Sequence, residues 1–345
     1  MKKDKSEIEK FVIFSNAIGE RIDYVQGGGG NTSFKIDSNT MLIKASGYYL
    51  SQVKNNDGYA ILSYPTINQF FYSEEALEAV DIEGVGSEKV RSSLIEKEGI
   101  PKLRPSVEAG FHSLLNTWVV HTHSVYSNII LCSRSAKEFL EKVFHDIDYI
   151  YIPYVNPGSR LTLEIAQKIK KYHQDNIEVP DVIFMENHGI IVHSGDPEKC
   201  LLLHQGVNER ICKYLSISES DYPNVKIKEI GDNKYISDTE YLSNSLKTKE
   251  YTQESLLLNP LYPDQIVYLE DTLGKTATIN SKTGEITYRM PYKQALLLEQ
   301  SITAIIFIMN HIKDKNLEIK YMSESDQDFI KNWESESYRK KMSKK

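Results

Sequence analysis

Apolar and polar positions recur with two different spacings along the first part of this chain, and each spacing predicts its own kind of element. Residues 6–22 have the spacing of an amphipathic helix, whereas residues 33–36 and 41–44 form the short apolar runs of a β-hairpin. Further on, helical patterns at residues 125–132, 161–173 and 197–215 alternate with apolar runs at residues 119–123, 149–152 and 182–185. Alternation of this kind predicts an α/β sandwich with a mixed sheet.

The sequence becomes more polar after Ser216 and predicts a different organisation there. Residues 237–255 are rich in Ser, Thr, Lys and Glu with little periodicity, which predicts a linker or a mobile excursion. Beyond them the pattern predicts short strands and then two helices, with the strands at residues 265–269, 276–279 and 285–288. We therefore divide the chain into a first domain, residues 1–218, and a C-terminal extension, residues 219–345. This extension contains a short β-hairpin and two helices that can pack on the same domain.

Three histidines carry the first candidate chemistry. His121 and His123 stand two residues apart in an apolar run, and alternate residues of a strand project from one face, so both imidazoles can meet one ion. His188 follows a second apolar run, and three histidines with one open position suit a catalytic zinc site. A pair of strand histidines alone is also compatible with ordinary hydrogen-bonded residues.

Glu108 lies shortly before the histidine run, in an amphipathic segment. Pro105 and Ser106 precede it and are typical of a helix start, so we predict a helix that contains Glu108. This helix ends shortly before the predicted strand of His121 and His123. His112 is four residues further along the same helix face. A packing role and a supporting role beside Glu108 are both compatible with that position.

A run of four glycines, residues 27–30, precedes Asn31 and Ser33. The run lacks the spaced third glycine of a dinucleotide motif and the Gly-Lys-Ser/Thr end of a P-loop. Glycines let backbone N–H groups approach an anion, and the side chains of Asn31 and Ser33 can add hydrogen bonds, which suits a phosphate. Taken alone, the same residues fit a flexible turn equally well.

Composition narrows the class of protein. The chain of 345 residues is 40% hydrophobic and 26% charged, which is ordinary for a globular protein. With 41 basic against 48 acidic residues its net charge is −7, which argues against nucleic acid as the main partner. Three cysteines without a metal or disulfide spacing predict a cytoplasmic location. The most apolar segment, residues 295–309, is shorter than the ~20 residues of a membrane span, so we expect a buried helix and no membrane partner.

Six segments resemble the class II aldolase/adducin family, in the family's order. They are residues 28–33 (Gly-Gly-Gly-Asn-Thr-Ser), 44–47 (Lys-Ala-Ser-Gly), 104–108 (Arg-Pro-Ser-Val-Glu), 121–123 (His-Thr-His), 153–158 (Pro-Tyr-Val-Asn-Pro-Gly) and 187–189 (Asn-His-Gly). The chain looks closest to the aldolase half of fused rhamnulose-phosphate aldolase/dehydrogenase proteins. The resemblance continues more faintly through residues 262–268. It implies a three-layer α/β/α sandwich with a mixed, largely antiparallel sheet, followed by a C-terminal α+β extension.

The resemblance also implies the roles of individual residues. Glu108 would be the acid/base that exchanges a proton on the nucleophilic carbon, and would fill the open coordination position when no substrate is bound. Lys44 stands where other members have a neutral residue, and would either contact phosphate or carboxylate or face solvent. The implied ligands of Zn²⁺, or of another divalent ion, are His121, His123 and His188. The implied substrate residues are Gly30, Asn31, Ser33, Lys44, Ser46, Gly47 and Ser106.

The activity implied by the resemblance is that of a zinc-dependent aldolase. Such an enzyme would act on a phosphorylated ketose through an enediolate and release dihydroxyacetone phosphate and an aldehyde. Two alternatives stay open, because the same family includes sugar-phosphate 4-epimerases and decarboxylases, and because adducin-like members keep the fold as a non-catalytic scaffold. We expect a small sugar phosphate as the partner, and a homo-oligomer, since relatives commonly assemble around shared active sites.

Overall fold

A mixed sheet forms the centre of the N-terminal part in the computed structural model, which describes residues 2–249, 251–333 and 338. Its seven strands lie in the order β3-β2-β1-β4-β7-β6-β5, and every neighbouring pair is antiparallel except β5 and β6. The strands are β1 Asn31–Lys35, β2 Thr40–Lys44, β3 Tyr59–Ser63, β4 Trp118–Thr122, β5 Ile150–Ile152, β6 Val182–Met185 and β7 Gly189–Ser194. The predicted mixed, largely antiparallel sheet is confirmed.

Helices cover both faces of this sheet. They are α1 Lys2–Gly19, α2 Tyr64–Phe71, α3 Glu74–Glu78, α4 Ile82–Ser92, α5 Ala109–Leu114, α6 Val125–Leu131, α7 Ala136–Val143, α8 Ser159–Gln174 and α9 Pro197–Leu215. Successive residues of β4 face opposite cores, because Val119 packs with side chains of α5 and α8 while Val120 packs with those of α6 and α9. The three-layer sandwich is thereby confirmed. No element was predicted for residues 64–92, which form α2 to α4.

The C-terminal region adds a second sheet and more helices. Its strands are β8 Ile227–Gly231, β9 Lys234–Ser237, β10 Ala277–Asn280 and β11 Glu285–Arg289, in the order β10-β11-β9-β8. Its helices are α10 Glu240–Thr248, α11 Gln253–Leu258, α12 Pro263–Leu269, α13 Tyr292–Asp314 and α14 Glu324–Asn332. The hairpin of β10 and β11 agrees with the sequence pattern, while β8 and β9 extend it in a way that the pattern does not predict.

Two predictions for this region are wrong. Residues 265–269, predicted as a strand, lie in α12, which has Pro263 at its first position and is buried on all sides, so its apolar run shows no helical period. Residues 237–255, predicted as a linker, contain α10 and the first half of α11; residue 250 lies outside the described residues. Leu242 and Leu246 of α10 are fully buried, so two apolar positions one turn apart are enough to anchor that polar helix.

The C-terminal region packs against the turn between β6 and β7. The Asn187 amide donates to the carbonyl oxygens of Leu261 and Lys320, each at 2.7 Å, and Lys320 Nζ donates to Glu186 Oε2 at 2.6 Å. Helix α13 is long and apolar enough to cross a membrane, yet 83% of its most apolar stretch is buried, in agreement with the predicted buried helix. The domain boundary at residue 218 stays a prediction.

Candidate metal centre

The three candidate histidines converge at one end of the sheet. Strand β4 carries His121 and ends one residue before His123, and the Nε2 atoms of these two rings are 3.1 Å apart. His188 lies in the tight turn between β6 and β7, beside Asn187 with its φ of 50°. One nitrogen from each ring lies within 4.8 Å of the others, and all three rings are buried. The structure therefore brings together the residues that the sequence singles out.

In His121 and His123, the partner of Nδ1 decides which nitrogen faces the shared point. His121 Nδ1 lies 2.9 Å from the carbonyl oxygen of Ile190, and His123 Nδ1 lies 2.8 Å from Asp264 Oδ2. Carbonyl and carboxylate oxygens accept, so both Nδ1 atoms carry the proton and two Nε2 lone pairs face each other. That arrangement is repulsive unless a cation lies between them. Burial lowers the pKa of His121 well below its ordinary value, which favours a metal ion over a proton.

Glu108 lies against the same point. Its Oε1 is 3.3 Å from His188 Nε2 and its Oε2 is 3.5 Å from His121 Nε2. Oε1 is buried without a hydrogen-bond partner among the described residues, whereas Oε2 accepts from the Asn31 amide at 2.7 Å. A buried carboxylate oxygen without a donor is costly unless a cation balances it. The residues present thus fit a divalent metal held by imidazoles, with Glu108 beside it.

A chain of hydrogen bonds fixes Glu108. The Asn31 amide also donates to Ser106 Oγ at 3.1 Å, and its carbonyl oxygen accepts from His112 Nε2. Burial lowers the pKa of His112 to about 3, so the ring is neutral, donates from Nε2 and accepts at Nδ1 from the Ser33 hydroxyl at 2.7 Å. Because the Asn31 side-chain oxygen accepts from His112, its NH₂ group must point toward the Glu108 carboxylate. His112 therefore supports Glu108 through Asn31.

The helix predicted to start at Pro105 and Ser106 begins later, at Ala109. Pro105 pairs with Ala45 in an isolated bridge, and Ser46 N donates to the Arg104 carbonyl at 2.9 Å, so this segment is held extended against the Ser46 turn. Glu108 is the residue before the helix, with φ −94° and ψ 7°. The predicted helix start is wrong because pairing with residues 45 and 46 replaces the first helical turn.

Lys44 is buried, with 2% of its surface exposed, so the solvent-facing alternative is wrong. Its Nζ donates to the carbonyl oxygens of Gly28 and Tyr48, at 3.0 and 2.7 Å, and so joins the glycine loop to the turn at Gly47, whose φ is 83°. The segments that carry the predicted substrate residues therefore adjoin one another around Glu108. The substrate roles of Gly30, Asn31, Ser33, Lys44, Ser46, Gly47 and Ser106 stay predictions.

Helix α12 supplies contacts to the site that the sequence does not predict. Asp264 meets His123 as described above, and the Tyr268 hydroxyl accepts from the backbone N–H of Gly28 at 2.9 Å. The ring of Tyr262 lies 6.2 Å from the ring of His123. The faint resemblance of residues 262–268 is the one signal in the sequence that points to this helix.

Comparison with known proteins identifies the family of the chain. A family model described as the Class II Aldolase and Adducin N-terminal domain matches residues 15–214, more than half of the chain. The chain belongs to the class II aldolase and adducin family. It is also similar to a curated protein of Bacillus subtilis (strain 168) named uncharacterized oxidoreductase YuxG, with 25% identity over 202 residues. That match covers 56% of this chain but only 27% of the relative, so the chain spans about a quarter of that relative's length.

Two solved structures are similar to the N-terminal part of this chain. The N-terminal class II aldolase domain of a conserved protein from Thermoplasma acidophilum gives a TM-score of 0.50 at 21% identity and covers 60% of this chain and 93% of that chain. YgbL from Klebsiella pneumoniae gives a TM-score of 0.43 at 18% identity and covers 62% of this chain and 90% of that chain. The first likeness supports the class II aldolase fold of the N-terminal part.

Proposed function

We propose that this class II aldolase family member is a zinc-dependent aldolase that forms or cleaves a carbon–carbon bond in a phosphorylated ketose. One observation carries the proposal. Three buried imidazoles and Glu108 Oε1, which has no hydrogen-bond partner in the described part of the chain, meet within contact distance of one point. Family membership supports the enzyme class, and the donor set supports the metal.

The proposed mechanism assigns one role to the metal and the rest to the protein. A divalent ion at His121, His123 and His188 would supply Lewis-acid stabilisation of the negative charge of an enediolate. Glu108 Oε1 would hold the proton that is exchanged at the nucleophilic carbon. Its Oε2 would stay bound to the Asn31 amide, 2.7 Å away, so the carboxylate keeps one orientation while the proton moves.

The substrate phosphate would bind where three segments adjoin, at the glycine loop, the Ser46–Gly47 turn and Ser106. Lys44 would contribute positive charge from beneath this place, since its ammonium group lies between two carbonyl oxygens of the loop and the turn. Two of the hydrogen bonds that the Lys44 ammonium can donate are already used by these carbonyl oxygens. The presence of Lys44 is therefore weaker support for an acidic substrate than its position in the sequence suggests. Homo-oligomeric assembly and a cytoplasmic location stay predictions.

The test combines metal content with product analysis. Purified wild-type protein should contain about one zinc ion per chain and should condense dihydroxyacetone phosphate with some member of an aldehyde panel. His121→Ala should lose both properties. His193→Ala is the matched control, because His193 is also a buried imidazole of the same sheet but lies on β7 away from the cluster.

The outcomes separate the alternatives. Zinc without condensation, but with interconversion of epimers or loss of carbon dioxide from a sugar phosphate, would replace the aldolase by an epimerase or a decarboxylase. A wild-type protein that binds no divalent metal would overturn the catalytic proposal and favour a scaffold.

A further inference from the structure

Helix α12 lies outside the family-matched residues 15–214, and it reaches the candidate metal centre. Asp264 Oδ2 lies 2.8 Å from His123 Nδ1, and the two side chains are 4% and 3% exposed. A buried carboxylate at this distance from a candidate ligand imidazole is the arrangement that fixes the ring's orientation and tautomer and makes the opposite nitrogen a stronger donor. The C-terminal region thus contributes directly to the geometry of the site.

We propose that Asp264 is a positioning residue that tunes metal affinity through His123. The inference rests on the proposed function, because it presumes a metal at the three histidines. The other two rings have different partners: His121 Nδ1 is paired with a neutral backbone carbonyl, and His188 Nδ1 is buried without a hydrogen-bond partner in the described residues. Of the three imidazoles, His123 is the one whose Nδ1 meets a carboxylate within the described structure.

Gly29 makes this contact available. A Cβ atom built at Gly29 would clash with Asp264 Oδ2 and lie 3.1 Å from both His123 Nδ1 and the backbone carbonyl oxygen of Gln26, so a larger residue would push the carboxylate away from the imidazole. A Cβ atom at Gly28 would instead lie 3.4 Å from the Tyr268 hydroxyl, which is an ordinary contact. Neither glycine has a positive φ, so backbone strain does not enter the comparison. Gly28→Ala can therefore serve as the matched control for Gly29→Ala.

A purely structural role for Asp264 makes a different prediction. Asp264 lies in the first turn of α12, where an acidic side chain stabilises a helix regardless of any metal. In that case its loss would lower the melting temperature of the metal-free protein and leave metal affinity unchanged. Gln265, the next residue, is equally buried, and in the described part of the chain its side chain bonds only within the C-terminal region, to groups such as Leu261 N and the Leu256 carbonyl. Gln265→Ala therefore reports damage to α12 alone.

The experiment measures Zn²⁺ affinity of the full chain by competition with a chromophoric chelator, with the melting temperature of each metal-free variant. Asp264→Ala and Gly29→Ala should each weaken binding about 10- to 100-fold. Asp264→Asn should weaken it less, because the amide oxygen still accepts from His123. Gly28→Ala and Gln265→Ala should bind as wild type does. The double variant Gly29→Ala/Asp264→Ala should bind no more weakly than Asp264→Ala, because both changes remove one contact.

The results separate this inference from the proposed function. If wild type binds zinc, His121→Ala does not, and the Asp264 and Gly29 variants bind as tightly as wild type, then the positioning role is overturned while the metal centre stands. Equal losses for Gly28→Ala and Gly29→Ala would also overturn it. If wild type binds no zinc, both proposals fail. Should Asp264→Ala fail to fold, the Asp264→Asn and Gly29→Ala measurements decide the question.

Discussion

The family-matched half of the molecule and its C-terminal region contribute differently to one site. Residues 15–214 supply the atoms that would touch metal and substrate, including all three imidazoles and Glu108. The C-terminal region supplies Asp264 and Tyr268, which touch those residues or the loop beside them. The contrast teaches that a match to the family identifies donor atoms, whereas the groups that orient them can lie outside the matched residues.

The two halves also place their residues by different means. In the sheet, strand register positions the residues: His121 pairs with Asn31 of β1 on one side and with Ile191 of β7 on the other. In the C-terminal region, α12 is positioned by packing on α13 and α14, and its residues reach the site through that packing. Register is set by local alternation, whereas the placement of α12 depends on the whole core.

The largest effect is expected for Glu108→Gln, which changes a residue of the family-matched half. The amide cannot hold the exchanged proton, so kcat should fall by ~10²–10⁴ while zinc stays bound. Steady-state kinetics and elemental analysis measure the two effects separately. Glu186→Gln is the control, since Glu186 is also a buried glutamate but pairs with Lys320. Loss of zinc from Glu108→Gln would make Glu108 a metal ligand and would change its proposed role.

Asn31→Ala should have the next largest effect. It removes the donor that orients Glu108 Oε2, and a small misplacement of an acid/base can cost ~10²-fold in rate. The buried carboxylate also loses its partner, which should destabilise the fold by ~1–3 kcal/mol in urea unfolding. Thr32→Val serves as the control, because the Thr32 hydroxyl bonds Ser15 on the opposite face. Unchanged kcat in Asn31→Ala would exclude its role in positioning Glu108.

Acid should destabilise the sheet half more than the C-terminal region. Burial lowers the pKa of three histidines of the sheet half, to about 3 for His112 and His204 and about 4 for His193. The unfolded chain binds more protons than the fold below pH ~6.5, so each histidine removes ~1.4 kcal/mol of stability per pH unit down to its folded pKa. In the C-terminal region burial lowers the pKa of His311 in the same way but raises the pKa of Glu299, so there the two groups act in opposite directions as the pH falls.

Two tryptophans report on the two halves. Trp118 lies on β4, stacked on Phe34, and Trp333 follows α14. In Trp333→Phe the remaining fluorescence follows the sheet, and in Trp118→Phe it follows the end of α14, where the Trp333 ring lies against Phe329 and Gly158. We expect the sheet signal to change first as the pH falls from 6.5 to 4, and His204→Gln to flatten that slope. A C-terminal signal that changes first would contradict the assignment.

The smallest effect should come from Tyr268→Phe. This change removes the acceptor for Gly28 N–H and should lower the free energy of unfolding by ~1 kcal/mol. Zinc affinity should stay at the wild-type value, because the Asp264 contact is untouched. Urea unfolding and chelator competition give the two numbers. A loss of affinity as large as that of Asp264→Ala would mean that the packing of α12 as a whole, not Asp264, holds His123.

Local patterns predicted much of the sheet half correctly. Helix α9 runs from Pro197 to Leu215 as its periodicity and its proline start predict, and the first hairpin forms at the predicted place. The predicted start of the Glu108 helix is wrong because bridges to residues 45 and 46 hold the preceding segment extended. Helices α10 and α12 were missed because a polar helix anchored by two leucines, and a helix buried all round, show no clear period.

The sequence by itself determined that His121 and His123 lie on one side, because alternate residues of a strand project from the same face. Tertiary structure decided which nitrogen of His121 and of His123 faces the shared point, since the partners of their Nδ1 atoms come from far along the chain. His121 is held by Ile190, 69 residues away, and His123 by Asp264, 141 residues away. A spacing of two residues is a property of the backbone, whereas contacts over such separations exist only once the core has packed.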